Sequence, residues 1–128
     1  MKRDQLEAHI ETIEKSYEFF LAYAAQGARD EEASKVGAQL REFLDQMDDA
    51  LSALENDLGA IVESEGLEPA DRYRAMIEIT SADAARARAT VRLVAAQDVI
   101  SSELIDNLNA SLHIRVLLTD LFLLDDVV

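Results

Sequence analysis

The sequence predicts an all-α protein, because its helix breakers lie mainly at short junctions and its apolar residues recur at helical spacing. Gly27, Gly66 and Pro69 mark two junctions, and residues 70–128 contain neither glycine nor proline. The chain has 128 residues, of which 49% are apolar, so it can form one domain with a sizeable core. We expect a single domain over 1–128, folded as an antiparallel four-helix bundle with helices over 4–26, 30–65, 69–97 and 101–125.

The first helix has a start signal and one apolar stripe. Asp4, Gln5, Leu6 and Glu7 have the form of a capping box, with Asp4 as the N-cap and Glu7 at the third helical position. Apolar residues then recur every three or four positions, which is typical of a seam against a partner helix. The stripe consists of Leu6, Ile10, Ile13, Tyr17, Phe20 and Ala24.

The second helix is expected to begin with Asp30 as its N-cap and to end near Glu65. Gly37 and Gly59 lie inside this span, where each costs about 1 kcal/mol relative to alanine. We therefore expect another backbone to approach closely at both glycines. The apolar stripe consists of Val36, Leu40, Phe43, Met47, Leu51, Leu54, Leu58 and Ile61.

The third helix has clear boundaries at its start and ambiguous ones at its end. Gly66 suits the left-handed position after a helix, and Pro69 suits the first helical position. We expect a turn over 97–102, with 106–109 as the competing position because two asparagines favour a turn there. The remaining alternative is a single helix over 69–125, which would be roughly 85 Å long and would require a dimer.

The last segment is apolar on nearly every side, so burial of one face cannot account for it. It contains Arg115 and Asp120 and is shorter than the ~20 apolar residues that cross a bilayer. We expect one part of this helix to lie in the core and another part to meet a second copy of the chain. The predicted interface consists of Tyr17, Phe20, Tyr23, Leu117, Leu121, Phe122 and Leu124.

The formal charge of −14 argues against nucleic acid and anionic membranes as partners, because both require a basic face. The charge is unevenly distributed: residues 30–66 hold eleven acids, whereas residues 69–97 hold five arginines. We expect these two segments to be neighbours that form surface ion pairs. The alternative is an arginine cluster that binds an anion or an acidic partner.

No established catalytic motif is present. The chain has no cysteine, which excludes disulfides and thiol chemistry and favours a reducing cytoplasmic location. Neither His9 nor His113 follows a glutamate by three residues, as a ferritin-like di-iron site requires. Glycine-rich phosphate-binding loops are also absent. We therefore predict no catalytic residue and no bound cofactor.

Two pairs of carboxylates have a spacing that suits a divalent cation. Glu11 and Glu14 are three residues apart on the first predicted helix, and Glu103 and Asp106 are three apart on the last. If the two pairs faced each other, they would form a metal site. The alternative is a solvated acidic surface, because such pairs arise by chance in a chain with 26 acids.

These observations favour a non-enzymatic helical adaptor, scaffold or chaperone-like protein that works by self-association, as a dimer, and by binding another protein. Excess apolar surface in a chain without chemical motifs is the reason for this interpretation. The alternative is a small Mg²⁺- or Mn²⁺-dependent helical hydrolase or ion-binding protein that uses the paired carboxylates.

Overall fold

The computed structural model describes all residues from Met1 to Val128 and contains helices and connecting turns but no strand. The all-α prediction is confirmed. Five of the helices have nine residues or more, rather than the four expected, and none is long and apolar enough to cross a membrane. The helices are α1 (Arg3–Ala25), α2 (Leu40–Asp57), α3 (Ile61–Ser64), α4 (Ala70–Ala95), α5 (Ser102–Ala110) and α6 (His113–Val127).

The long helices pack around one shared core of 28 buried apolar residues. Helix α2 lies between α1 and α4, α6 packs against α4 and α1, and α5 packs against α1. The α4 and α6 helices run antiparallel, because the Tyr73 hydroxyl near the start of α4 donates to the Val127 carbonyl at the end of α6 at 2.7 Å. Helix α4 therefore packs against α2 and, in the antiparallel direction, against α6.

The predicted start of the second helix is wrong, because residues 30–39 form two 3₁₀ turns and α2 begins only at Leu40. Asp30 does act as a cap, since its Oδ1 accepts from the Ala33 amide at 2.8 Å, but it caps a single turn. Gly37 folds back against that turn, and a Cβ there would overlap the Glu31 carbonyl. The close approach expected at Gly37 is confirmed.

The close approach expected at Gly59 is wrong, because a Cβ there would have no neighbour within 4 Å. Gly59 lies in a 3₁₀ turn, Leu58–Ala60, that separates α2 from α3. Gly66 has a φ of 61° in the junction before α4, as its predicted left-handed position requires. Helix α4 begins one residue after Pro69.

The predicted last helix is interrupted. The turn expected over 97–102 is present between α4 and α5, so the single long helix considered as an alternative does not form. A second break follows at Leu112, which has a left-handed φ of 68°. The Ser111 hydroxyl donates to the Leu108 carbonyl at 2.6 Å and helps to close the end of α5. The break gives α6 its own direction along α4.

The predicted cap of the first helix also shifts. Helix α1 begins at Arg3, so Asp4 lies in the first turn rather than at the N-cap. The Gln5 side chain accepts from the Lys2 amide at 2.8 Å, which satisfies a donor before the helix. The Asp4 carboxylate still benefits from the positive end of the helix dipole.

Candidate functional site

Helix α6 has two apolar faces, and the chain covers only one of them. Its inner face is buried in the core by Ile114, Leu117, Leu118, Leu121 and Leu124. Its opposite side carries an exposed row of apolar residues, here called the outer stripe. The outer stripe consists of Leu112, which is the N-cap residue before α6, and of Val116, Leu123 and Val127 within the helix.

Five of the seven residues predicted to form an interface lie in the core of the chain itself. The Tyr23 hydroxyl donates to the Ile100 carbonyl at 2.6 Å, and the Ser102 hydroxyl donates to the Tyr23 carbonyl at 2.6 Å. These bonds fix α5 against α1, so Tyr23 has a structural role. The five buried residues are Phe20, Tyr23, Leu117, Leu121 and Leu124.

The other two predicted interface residues, Tyr17 and Phe122, line a surface groove between α1 and α6. The groove has a volume of about 310 Å³. Arg115 from α6 and the carboxylates of Glu14 and Glu18 from α1 also line it. Phe122 remains substantially exposed beside the outer stripe. The groove therefore offers aromatic contact area together with charges of both signs.

The boundary between α4 and α6 contains a pair of carboxyl groups. Burial and the neighbouring Asp83 carboxyl raise the pKa of Asp120 from 3.8 to about 7. Asp83 accepts from the Arg86 guanidinium at 3.0 Å and is itself largely buried. The proton that Asp120 retains below about pH 7 reduces the repulsion between the two carboxyls. The exposed Asp126 lies next to Val127 of the outer stripe.

Helix α4 extends the apolar area beside the outer stripe. The Tyr73–Val127 hydrogen bond and the Asp83–Asp120 contact set the antiparallel register of α4 and α6. In this register Ile79 lies level with Leu123. Ile79 is exposed, so α4 also carries an exposed apolar side chain at this level.

The four candidate metal ligands do not form a cluster. Glu11 is exposed and pairs with Lys15 at 2.8 Å, and Glu14 lies in the groove beside Tyr17. Glu103 and Asp106 lie on the exposed face of α5. Nowhere in the structure do three or more His, Asp or Glu side chains converge as a metal site would require.

The acidic and basic segments are neighbours, as their charges predict. Arg88 of α4 donates to Asp48 of α2 at 2.9 Å and lies 3.6 Å from Glu55, and the two carboxylates raise the pKa of the Arg88 side chain. This pairing uses one arginine of the basic segment for packing. It leaves Arg72 and Arg86 exposed on the other side of α4.

Sequence reasoning missed the role of Arg41, which joins three parts of the fold. Its guanidinium donates to the carbonyls of Ala95, Gln97 and Asp98 at 2.8–3.2 Å, where α4 ends. It also lies 2.8 Å from the Glu31 carboxylate. The available signal was that Arg41 is one of only two basic residues between residues 30 and 66.

The surface around α6 combines apolar and charged side chains. The outer stripe, Ile79 and Phe122 offer apolar area, and the groove beside them offers charged side chains. Comparison of the chain with protein-family models, with curated proteins and with solved structures finds no match.

Proposed function

We propose that this chain is a non-enzymatic helical adaptor, scaffold or chaperone-like protein that acts by self-association and by binding another protein. The observation that carries the proposal is the outer stripe of α6. The stripe stays exposed although the core beneath it is closed. Contiguous exposed apolar surface of this kind marks interaction sites in stable proteins.

The distribution of charge supports association at this surface. Acidic residues are concentrated in the segment 30–66, whereas Arg72, Arg86 and Arg115 are exposed on α4 and α6. The net charge of −14 opposes nonspecific aggregation over most of the molecule. Association is therefore favoured where the charge is most nearly balanced, and α4 and α6 together carry six acids and six arginines.

The two activities use adjoining parts of the same region, and Arg115 and Phe122 lie at the boundary between them. The outer stripe and Ile79 serve self-association, and the groove that contains Tyr17 and Phe122 offers a place for a segment of another protein. A dimer would carry two copies of the groove and could bind a partner at two points, which raises the overall affinity. A cytoplasmic location, expected from the cysteine-free composition, is part of the same proposal.

The alternative function as a metal-dependent hydrolase has no specific observation in its favour. Neither of its two carboxylate pairs comes together with the other pair or with a further ligand to form a metal site. We therefore propose only the adaptor function.

A charge placed in the outer stripe tests the proposal. Leu123→Glu changes a side chain that is 56% exposed, and Leu21→Glu makes the same change at a 47% exposed position on α1, away from the stripe. Light scattering coupled to gel filtration at micromolar concentration gives the mass of each variant. We expect the native chain and Leu21→Glu to be dimers and Leu123→Glu to be a monomer with native circular dichroism. A monomeric native chain, or equal loss of the dimer in both variants, would contradict the proposal.

A further inference from the structure

We infer that the outer stripe binds the outer stripe of a second copy, with the two α6 helices antiparallel about a two-fold axis that passes between Thr119 and Asp120. This inference rests on the proposed self-association and specifies its geometry. A two-fold interface uses the same surface on both copies, so that surface must be complementary to itself.

The spacing of the outer stripe has this property. Its four residues are separated by intervals of four, seven and four positions, and this order is the same in both directions. When a second α6 is reversed against the first, Leu112 lies opposite Val127 and Val116 lies opposite Leu123. Every exposed apolar residue of the stripe then meets another one. An unrelated partner would place no such constraint on the order of the intervals.

Thr119 completes the centre of the stripe. It lies three residues after Val116 and four before Leu123, which gives the spacing of helices that pack side by side. Its hydroxyl already donates to the Arg115 carbonyl at 2.8 Å within α6. Burial at the axis therefore leaves no unpaired donor, and the methyl group of Thr119 is available for packing.

The flanks of α6 are also compatible with this arrangement. In antiparallel helix pairs each flank faces the same flank of the partner, so the Arg115 of one copy approaches the Phe122 of the other. Both residues are exposed, and an arginine over an aromatic ring is a favourable pair. On the other flank the Asp120 carboxyl lies against Asp83 of its own α4, and its Oδ2 is buried without a hydrogen-bond partner within the chain.

The charge of the chain further restricts where two copies can meet. A close approach of two chains that each carry −14 is favoured at a face where acids and arginines balance, as they do on α4 and α6 with six of each. Arg72 and Arg86 are exposed on α4 beside the stripe, and Ile79 lies level with Leu123 and adds apolar area. The α4–α6 face meets both requirements.

Single cysteines test the geometry directly, because the native chain has none. A disulfide requires Cα atoms within about 7 Å of each other. Across the proposed axis the Thr119 positions of the two copies are adjacent. The Leu112 of one copy lies opposite Val127 of the other, fifteen residues from the second Leu112, so the two Leu112 positions are about 22 Å apart at ~1.5 Å per residue. Under mild oxidation we expect Thr119→Cys to form a cross-linked dimer and Leu112→Cys to form none.

Mixing two variants provides the matched test. Leu112→Cys mixed with Val127→Cys should form the cross-linked heterodimer, although neither variant links to itself. Leu21→Cys, an equally exposed leucine outside the stripe, should remain monomeric in denaturing gels. Circular dichroism of each variant before oxidation confirms that the helices are retained.

The outcomes separate this inference from the proposed function. A native dimer in which Leu112→Cys links to itself has parallel helices, and this would overturn the inference alone. A native dimer would also overturn the inference alone if neither Thr119→Cys nor the mixture of Leu112→Cys and Val127→Cys formed a cross-link. It would do so too if Leu21→Cys cross-linked as strongly as Thr119→Cys. A monomeric native chain would overturn both the inference and the proposed self-association.

Discussion

Replacing Asp120 with asparagine is expected to stabilise the chain at alkaline pH. The folded chain holds the pKa of Asp120 at about 7, compared with 3.8 for an unperturbed aspartate, mainly because the carboxyl is buried and partly because it lies against Asp83. Asparagine keeps a neutral donor at the same place. It therefore reproduces the protonated state of Asp120 at every pH.

The sign and size follow from proton linkage. As the pH rises from about 4 to about 7, the unfolded chain releases the Asp120 proton while the folded chain retains it, so the free energy of unfolding decreases. The difference between about 7 and 3.8 is about 3 pKa units, and at 1.36 kcal/mol per unit the upper limit is about 4 kcal/mol. Since the Asp120 side chain is only partly buried and shares its proton with Asp83, we expect Asp120→Asn to gain about 1–2 kcal/mol near pH 8.

Urea unfolding of the native chain and Asp120→Asn at about pH 5 and about pH 8 measures this effect. Asp126→Asn is the matched control, because it removes the same charge from an exposed position on the same helix. All samples are compared at one protein concentration, so that association contributes equally. We expect the gain to be larger near pH 8 than near pH 5 and to be absent in Asp126→Asn. Equal gains in both variants, or a native chain that becomes more stable as the pH rises, would refute the reasoning.

Three further predictions concern the packing and are measured by urea unfolding of dilute protein. Arg41→Ala removes hydrogen bonds to three carbonyls and one ion pair, so it should lower the free energy of unfolding by about 1–3 kcal/mol, and a change below about half a kcal/mol would contradict its role. Gly37→Ala should lower the free energy of unfolding by more than about 2 kcal/mol, because the new Cβ would overlap a backbone carbonyl. Gly59→Ala should be neutral or stabilising, and equal effects of the two variants would contradict the placement of the two glycines. Leu121→Ala should lower the free energy of unfolding by about 2–5 kcal/mol, and Leu123→Ala by less than about 0.5 kcal/mol. The reverse order would show that the other face of α6 lies in the core.

The helix breakers predict much of the fold, since they act through local backbone conformation. Gly27 and Gly66 both have φ values near +60° at the predicted junctions, and α4 spans nearly the whole of the segment assigned to the third helix. The turn before α5 lies where Ser101, as a helix cap, predicts it. The Ser101 hydroxyl accepts from the Leu104 amide at 3.0 Å. Local signals were sufficient at these positions.

The errors arise where a distant or unsignalled contact determines the backbone. Residues 34–39 fit a helical apolar pattern through Val36, but they form a turn and a 3₁₀ helix in which Gly37 lies against the Glu31 backbone. Leu112 adopts a left-handed conformation without any glycine or asparagine to signal it. Periodicity describes which residues share a face and does not contain these constraints.

The composition of the last helix predicts the candidate site only in part. The excess of apolar residues over 112–128 indicates that one face lacks a partner within the chain. Which face is exposed depends on where α1 and α4 pack, and a helix that is apolar all round carries no signal for that choice. The sequence therefore selected Leu117, Leu121 and Leu124, which α6 buries, rather than Val116 and Leu123.

Sedimentation equilibrium of the native chain from low to high micromolar concentration is the most direct measurement of whether the exposed apolar face of α6 mediates self-association. We expect a reversible monomer–dimer equilibrium whose dimer is lost in Leu123→Glu and retained in Leu21→Glu. A single species with the mass of one 14.2 kDa chain at every concentration would show that this face has no second copy as its partner.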